Sequence, residues 1–234
     1  MRGGLGSVFT RDEEYSACLS QVKKRYNPEM SRGLRALFFV SGCAALLYQV
    51  VWQRTLFSIY GINVEAVTMV VTVFMLGLGL GSLVGGAISK NPKRPAVLYF
   101  AIAECSIGVF GIFSLEVFHY VGRWTLELPP FQIALVTFGL LLVPTMLMGG
   151  TLPLLVAHFS RLSKNVGDSV ARLYYVNTLG SALASALAVT VLLGKLGQAH
   201  TLQVAAALNF VAGLGSLVLH ARSKKKFAQT AAAS

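Results

Sequence analysis

The sequence predicts an all-α membrane protein with about six transmembrane helices, and three observations carry that prediction. Hydrophobic residues make up 55% of the 234 and charged residues only 12%, with a mean hydropathy of +0.65, so lipid rather than water is the expected solvent. Six apolar stretches reach the roughly 20 residues that a helix needs to cross a hydrocarbon layer about 30 Å thick. The cationic residues, finally, gather in alternate connections between those stretches.

A polar segment over residues 1–33 precedes the first span. Tyr15, Leu19 and Val22 stand there at helical spacing beside Lys23, Lys24 and Arg25, which suits a short amphipathic helix on the inner leaflet. A disordered tail fits the same residues. Met30, followed by Ser31-Arg32-Gly33, is an alternative start that would make residues 1–29 an extension. The transmembrane domain covers 34–220, with spans at about 35–59, 63–89, 95–118, 131–157, 171–194 and 199–220, and a basic tail follows over 221–234. Turn chemistry separates the spans: Gly61 and Asn63, Asn91-Pro92 with Pro95, Pro129-Pro130, Lys164-Asn165 with Gly167-Asp168, and Gly194 with Gly197. Connections this short make successive helices antiparallel.

Lysine and arginine resist translocation, so their distribution sets the orientation. Seven lie in the N-terminal segment and its junction with the first helix (Arg2, Arg11, Lys23, Lys24, Arg25, Arg32, Arg35). Three lie in the second loop (Lys90, Lys93, Arg94), three around the fourth (Arg161, Lys164, Arg172) and four in the tail (Arg222, Lys224, Lys225, Lys226). The opposite side keeps Arg123, Lys195 and Arg54. An even number of crossings with both termini cytoplasmic, in a bacterial inner membrane, satisfies this alternation throughout.

Small residues mark the expected packing faces. Gly77, Gly81 and Gly85 repeat every fourth residue on the second helix, and Gly180 and Ala184 do so on the fifth, so that neighbouring backbones can approach closely. Pro144, Gly149, Gly150 and Pro153 interrupt the fourth helix, where each proline removes a main-chain donor and frees a carbonyl. Those carbonyls need partners, in the protein or in a wet cavity, and both a packing kink and a cavity fit.

Ionisable groups at depth are the candidates for function, because a charge near the bilayer centre costs several kcal/mol unless paired or hydrated. Glu104 stands nine residues after Pro95, about 13 Å along a helix at 1.5 Å per residue. Asn177, Tyr174 and Thr151 fall near its level and Gln49 somewhat beyond, which suggests one polar cluster between helices three, four and five. Such a group can bind a cation or carry a proton; fixing helix packing through hydrogen bonds is the competing reading. Arg54 and Glu65 flank the outer turn at Gly61 and suit an ion pair or a gate. Trp52 and Trp124, with Tyr60 and Tyr120, suit interfacial belts.

Other chemistry is not indicated. Cys18, Cys43 and Cys105 are widely spaced and odd in number. Val40-Ser41-Gly42-Cys43 has the look of a lipoprotein processing signal, but the apolar run continues through Val51, which favours an uncleaved helix. His119, His158, His200 and His220 share no ligand spacing, so no metal is expected. Despite a net charge of +11, the basic residues follow the loops rather than one face, so no nucleic acid is expected.

Four segments carry a resemblance: Phe39 to Arg54 (FVSGCAALLYQVVWQR), Phe74 to Gly86 (FMLGLGLGSLVGG), Pro144 to Pro153 (PTMLMGGTLP) and Leu173 to Gly180 (LYYVNTLG). In this order they resemble the membrane domain of bacterial membrane-bound spermidine-synthase-like proteins, described as fusions of a transporter-like region with a synthase. The glycines of the second segment, followed by Lys90, Lys93 and Arg94, are also similar to a loop of major facilitator transporters, without its acidic residue. The resemblance implies half of a major-facilitator-type bundle, a module handling a small polar or cationic molecule, and a soluble synthase-like partner; a homodimer is also open. A structural membrane anchor that recruits a cytosolic enzyme is the alternative. The residues after His220 carry neither a glycine-rich fingerprint nor paired carboxylates, so no cofactor, and no aminopropyl transfer by this polypeptide alone, is expected. Reporter fusions to the two ends should both read as cytoplasmic; ends on opposite faces would break the helix count.

Overall fold

Proline suits the first turn of a helix, where no backbone donor is needed, and Pro28 opens α1 (Pro28–Tyr60). The protein is described by a computed structural model over residues 28–61, 64–91 and 94–232; the expected amphipathic stretch around Tyr15 and the choice between Met1 and Met30 as start lie outside these. Gly61, at a φ of +88°, ends α1, with its N–H bonded to the Phe57 carbonyl. There follow α2 (Val64–Ser89), α3 (Ala96–Thr125) and α4 (Pro130–Ser163). Next comes α5, spanning Val166–Lys195 with one wider, π-helical turn at Ala188–Leu192, and then α6 (Gly197–Ala232). All six are long and apolar enough to cross a membrane, and no strand occurs among the described residues.

Each expected span falls on one of these helices, and the differences are at the ends. Lys164 takes the left-handed conformation that stops α4, and the Asn165 side chain caps α5 by accepting from the Asp168 N–H at 3.0 Å, so Gly167 and Asp168 belong to the first turn of α5 rather than to a loop. Beyond His220, α6 continues to Ala232 through lysine and alanine, both strong helix formers, where a separate tail was expected.

Pairing registers give the direction of each helix. Ser41, Tyr48, Trp52 and Ile59 on α1 meet Glu104, Gly111, Ser114 and Gly122 on α3, both numbers rising together, so these two helices are parallel. Phe38 and Gly42 meet Asn177 and Ser181 on α5, also in parallel. Gly77 and Gly85 of α2 face Thr145 and Pro153 of α4, again in parallel. By contrast α6 runs against α1, through Gly33 to Leu219 and Thr55 to Gln198. Odd helices therefore point one way and even helices the other, as a chain weaving through one layer must. The most extensive packing is between α2 and α4, α3 and α6, α1 and α5, and α1 and α6, none of them consecutive. The short turns orient the helices, but these longer-range pairs hold them.

The two interrupted motifs meet each other. A methyl group at Gly81 would overlap the Met146 backbone, and one at Gly149 would overlap the Leu78 backbone, so α2 and α4 touch main chain to main chain. Pro153 has no N–H for the Gly149 carbonyl four residues back; the Ser82 hydroxyl of α2 lies 3.1 Å from that oxygen and satisfies it. Gly149, Gly150 and Pro153 thus serve a close helix contact, and Pro144 stands inside the same continuous helix. Gly81→Ala or Gly149→Ala should destabilise the bundle by about 1–3 kcal/mol, read as a lower unfolding temperature in detergent, whereas Gly79→Ala, with nothing within 4 Å of the added methyl, should leave it unchanged.

Candidate functional site

Along α3, Phe100, Ala101, Glu104, Ile107, Gly108 and Gly111 recur at helical spacing on one buried face, and this periodicity carries the carboxyl into the bundle with its apolar neighbours. Glu104 is fully buried. Ser41 Oγ of α1 donates to its Oε1 at 2.5 Å, and Asn209 Nδ2 of α6 donates to its Oε2 at 3.0 Å and lies 3.3 Å from its backbone carbonyl. One side chain therefore joins three helices. Among the described residues it forms no ion pair. Two further buried polar atoms, Asn209 Oδ1 and Tyr48 OH, have no partner. The Tyr48 ring lies on the bare backbone of Gly111, two turns beyond Glu104 on the same helix.

The expected cluster divides differently. Asn177 does not meet Glu104; its Nδ2 donates to the Phe38 carbonyl at 3.2 Å, while Ser181 Oγ donates to the Gly42 carbonyl at 3.0 Å. Thr151 bonds to its own helix at Met148, and Gln49 is half-buried outside the Glu104 network. Tyr174 is 62% exposed on the outer face of α5. Gly180 lies against the Phe39 carbonyl, and Ala184 is buried in the core. Arg54 is exposed toward the Gly61 end of α1, and the side chain of Glu65 lies outside the described residues. Trp52 is no belt residue: its indole N–H donates to Ser114 Oγ at 2.9 Å, and its ring touches Tyr48, Phe74, Phe110 and Phe118. Trp124 and Tyr120 are exposed and stacked.

Ser41 and Asn209 are the site residues that sequence reasoning passed over. Asn209 was findable, as the lone asparagine within the apolar length of α6; Ser41 was hidden inside the segment resembling a processing signal. A cavity of about 350 Å³ lies at the end of the bundle bearing the basic loops, walled by α1, α4 and α5. At the same end Arg161 donates to the carbonyls of Ser89 and Asn91, clasping α4 to the end of α2. No three His, Cys, Asp or Glu side chains among the described residues come together as a metal site.

Six apolar helices joined by short turns are compatible with a multi-pass membrane protein, here with a carboxyl at a three-helix junction. The chain is similar to Polyamine aminopropyltransferase 1 of Streptomyces coelicolor, 25% identical over 183 residues, which cover 77% of this chain and 32% of that protein. No family model and no solved structure matches it. Because each donor to the carboxyl comes from a different helix, Ser41→Ala or Asn209→Ala should lower stability by about 1–3 kcal/mol through an under-satisfied buried group. Glu104→Gln, which keeps an acceptor, should cost less; thermal unfolding in detergent ranks the three.

Proposed function

We propose that this chain is a transporter-like membrane module, in which Glu104 is the exchangeable proton or cation site for a small polar or cationic molecule. The supporting observation is a fully enclosed carboxyl with two hydrogen-bond donors and no basic partner. Such a group is held in lipid at a cost of several kcal/mol unless a positive charge joins it. A proton is the smallest charge that can do so, and a permeant cation exchanging with it would couple the two movements. Asn209 Oδ1, an unpartnered acceptor beside the carboxyl, is placed to share that charge. Likeness to a protein named for polyamine aminopropyl transfer suggests the class of cargo, an organic polycation. In this reading the chain is a membrane part whose two termini face the cytoplasm of a bacterial inner membrane, and a soluble synthase-like chain is its partner.

A second reading, an anchor that recruits such an enzyme, draws on the exposed Arg222, Lys224 and Lys225 carried on the continuous last turns of α6. The two separate in proteoliposomes. Labelled spermidine should exchange across the membrane with the wild type, and Glu104→Gln should reduce the flux at least tenfold. Flux unchanged in that variant removes Glu104 from the transport step, and absence of flux with the wild type leaves the anchor.

A further inference from the structure

We infer that the cavity at the basic end of the bundle is a binding site for the phosphodiester group of a membrane phospholipid. This is independent of Glu104, which lies deeper on another helix. Its walls come from the first turns of α1, the end of α4 and the first turns of α5. Two features call for an anion. Ser31 lines the cavity, is 1% exposed, and its Oγ has no hydrogen-bond partner, so the site holds a buried donor waiting for an acceptor. Arg35, one turn further along α1, is half-buried on the same wall and forms no ion pair among the described residues. A guanidinium so placed is matched by two oxygens of a phosphate.

The charge count selects among phosphates. Arg172 also lines the cavity but is neutralised by Asp168, Nε to Oδ1 at 2.7 Å. Arg35 therefore leaves a single unbalanced positive charge beside a carboxylate, which suits the single negative charge of a phosphodiester and disfavours the dianion of a free phosphate. Surroundings select the source. Beside the polar Ser163, Asp168 and Ser169, the side chains of Phe159, Leu162 and Leu173 give the wall an apolar portion. Just after Leu173, Tyr174 and Tyr175 stand 62% and 65% exposed on the outside of α5, where amphipathic rings suit the headgroup layer. A lipid could then insert its phosphate while its chains lie along the helices.

The full chain in detergent, titrated with dioleoylphosphatidylglycerol and followed by native mass spectrometry and thermal unfolding, tests this. One lipid should bind and raise the unfolding temperature, and dioleoylglycerol, which lacks the phosphate, should do neither. Arg35→Gln should weaken binding about tenfold or more, as loss of a charge-assisted bond implies. Arg35→Lys, which keeps the charge but loses the two-pronged fork, should weaken binding less than Arg35→Gln does, and Arg32→Gln, on the exposed side of α1, should retain all of it. Ser31→Ala, a substitution that removes only the unpartnered hydroxyl, should also weaken binding and supplies the answer if Arg35→Gln fails to fold. Binding unchanged in both Arg35→Gln and Ser31→Ala overturns the site, as does dioleoylglycerol binding as tightly as the phospholipid. Equal protection by sodium phosphate alone overturns the lipid assignment.

Discussion

Helices in lipid gain little from burying apolar side chains against one another, because acyl chains are as apolar as leucine. What remains is close contact and the satisfaction of every polar group inside the bundle. The architecture follows from this constraint. Where α2 crosses α4 the glycines of both helices remove the side chains that would hold the backbones apart, and Ser82 covers the carbonyl that Pro153 exposes. Where α1 crosses α5, Gly42 and Gly180 play the same part, and Ser181, Asn177 and Cys43 each donate to a main-chain carbonyl on the other helix. Polar side chains here mostly bond to backbone oxygens, which suits a medium that offers no water.

Around α1 and α3 the same rule admits something costlier. Half of the hydropathic window of α3 is buried against 17% for α5, so α3 is a central helix and α5 a peripheral one. Glu104 sits on the central helix with donors from both other helices at its junction. A structural role alone would be met by a neutral residue at lower cost, since a buried charge is weak evidence for stability. That asymmetry is why the carboxyl carries the functional reading, while the similar-looking Asn177 and Thr151, bonded to backbone, read as parts of the frame.

The basic end of the bundle is organised differently. Arg161 is spent on backbone carbonyls at the end of α2, and Arg172 on Asp168 one turn back within α5. Arg35 is not, and it shares its cavity with a buried hydroxyl that also lacks a partner. Two unmet polar groups on one wall of one cavity form a coherent site, distinct in depth and in charge from the carboxyl junction.

Composition and span length were enough to determine the helix class and the number of helices long and apolar enough to cross a membrane, because the thickness of the hydrocarbon layer acts on each segment separately. Glu104 and the glycine repeats could be singled out for the same reason: each is unusual within its own helix. Which helices meet was left to the tertiary structure. Depth counting along the chain gives a residue its level but not its azimuth, so Asn177 and Thr151 could be placed beside Glu104 in height, while only the rotation of each helix showed that Ser41 and Asn209 face it. Trp52 differs from Trp124 by the same rotation, one turned onto four rings and a serine, the other turned out. Contacts among α1, α3 and α6 join residues more than 60 positions apart, and no local pattern encodes them.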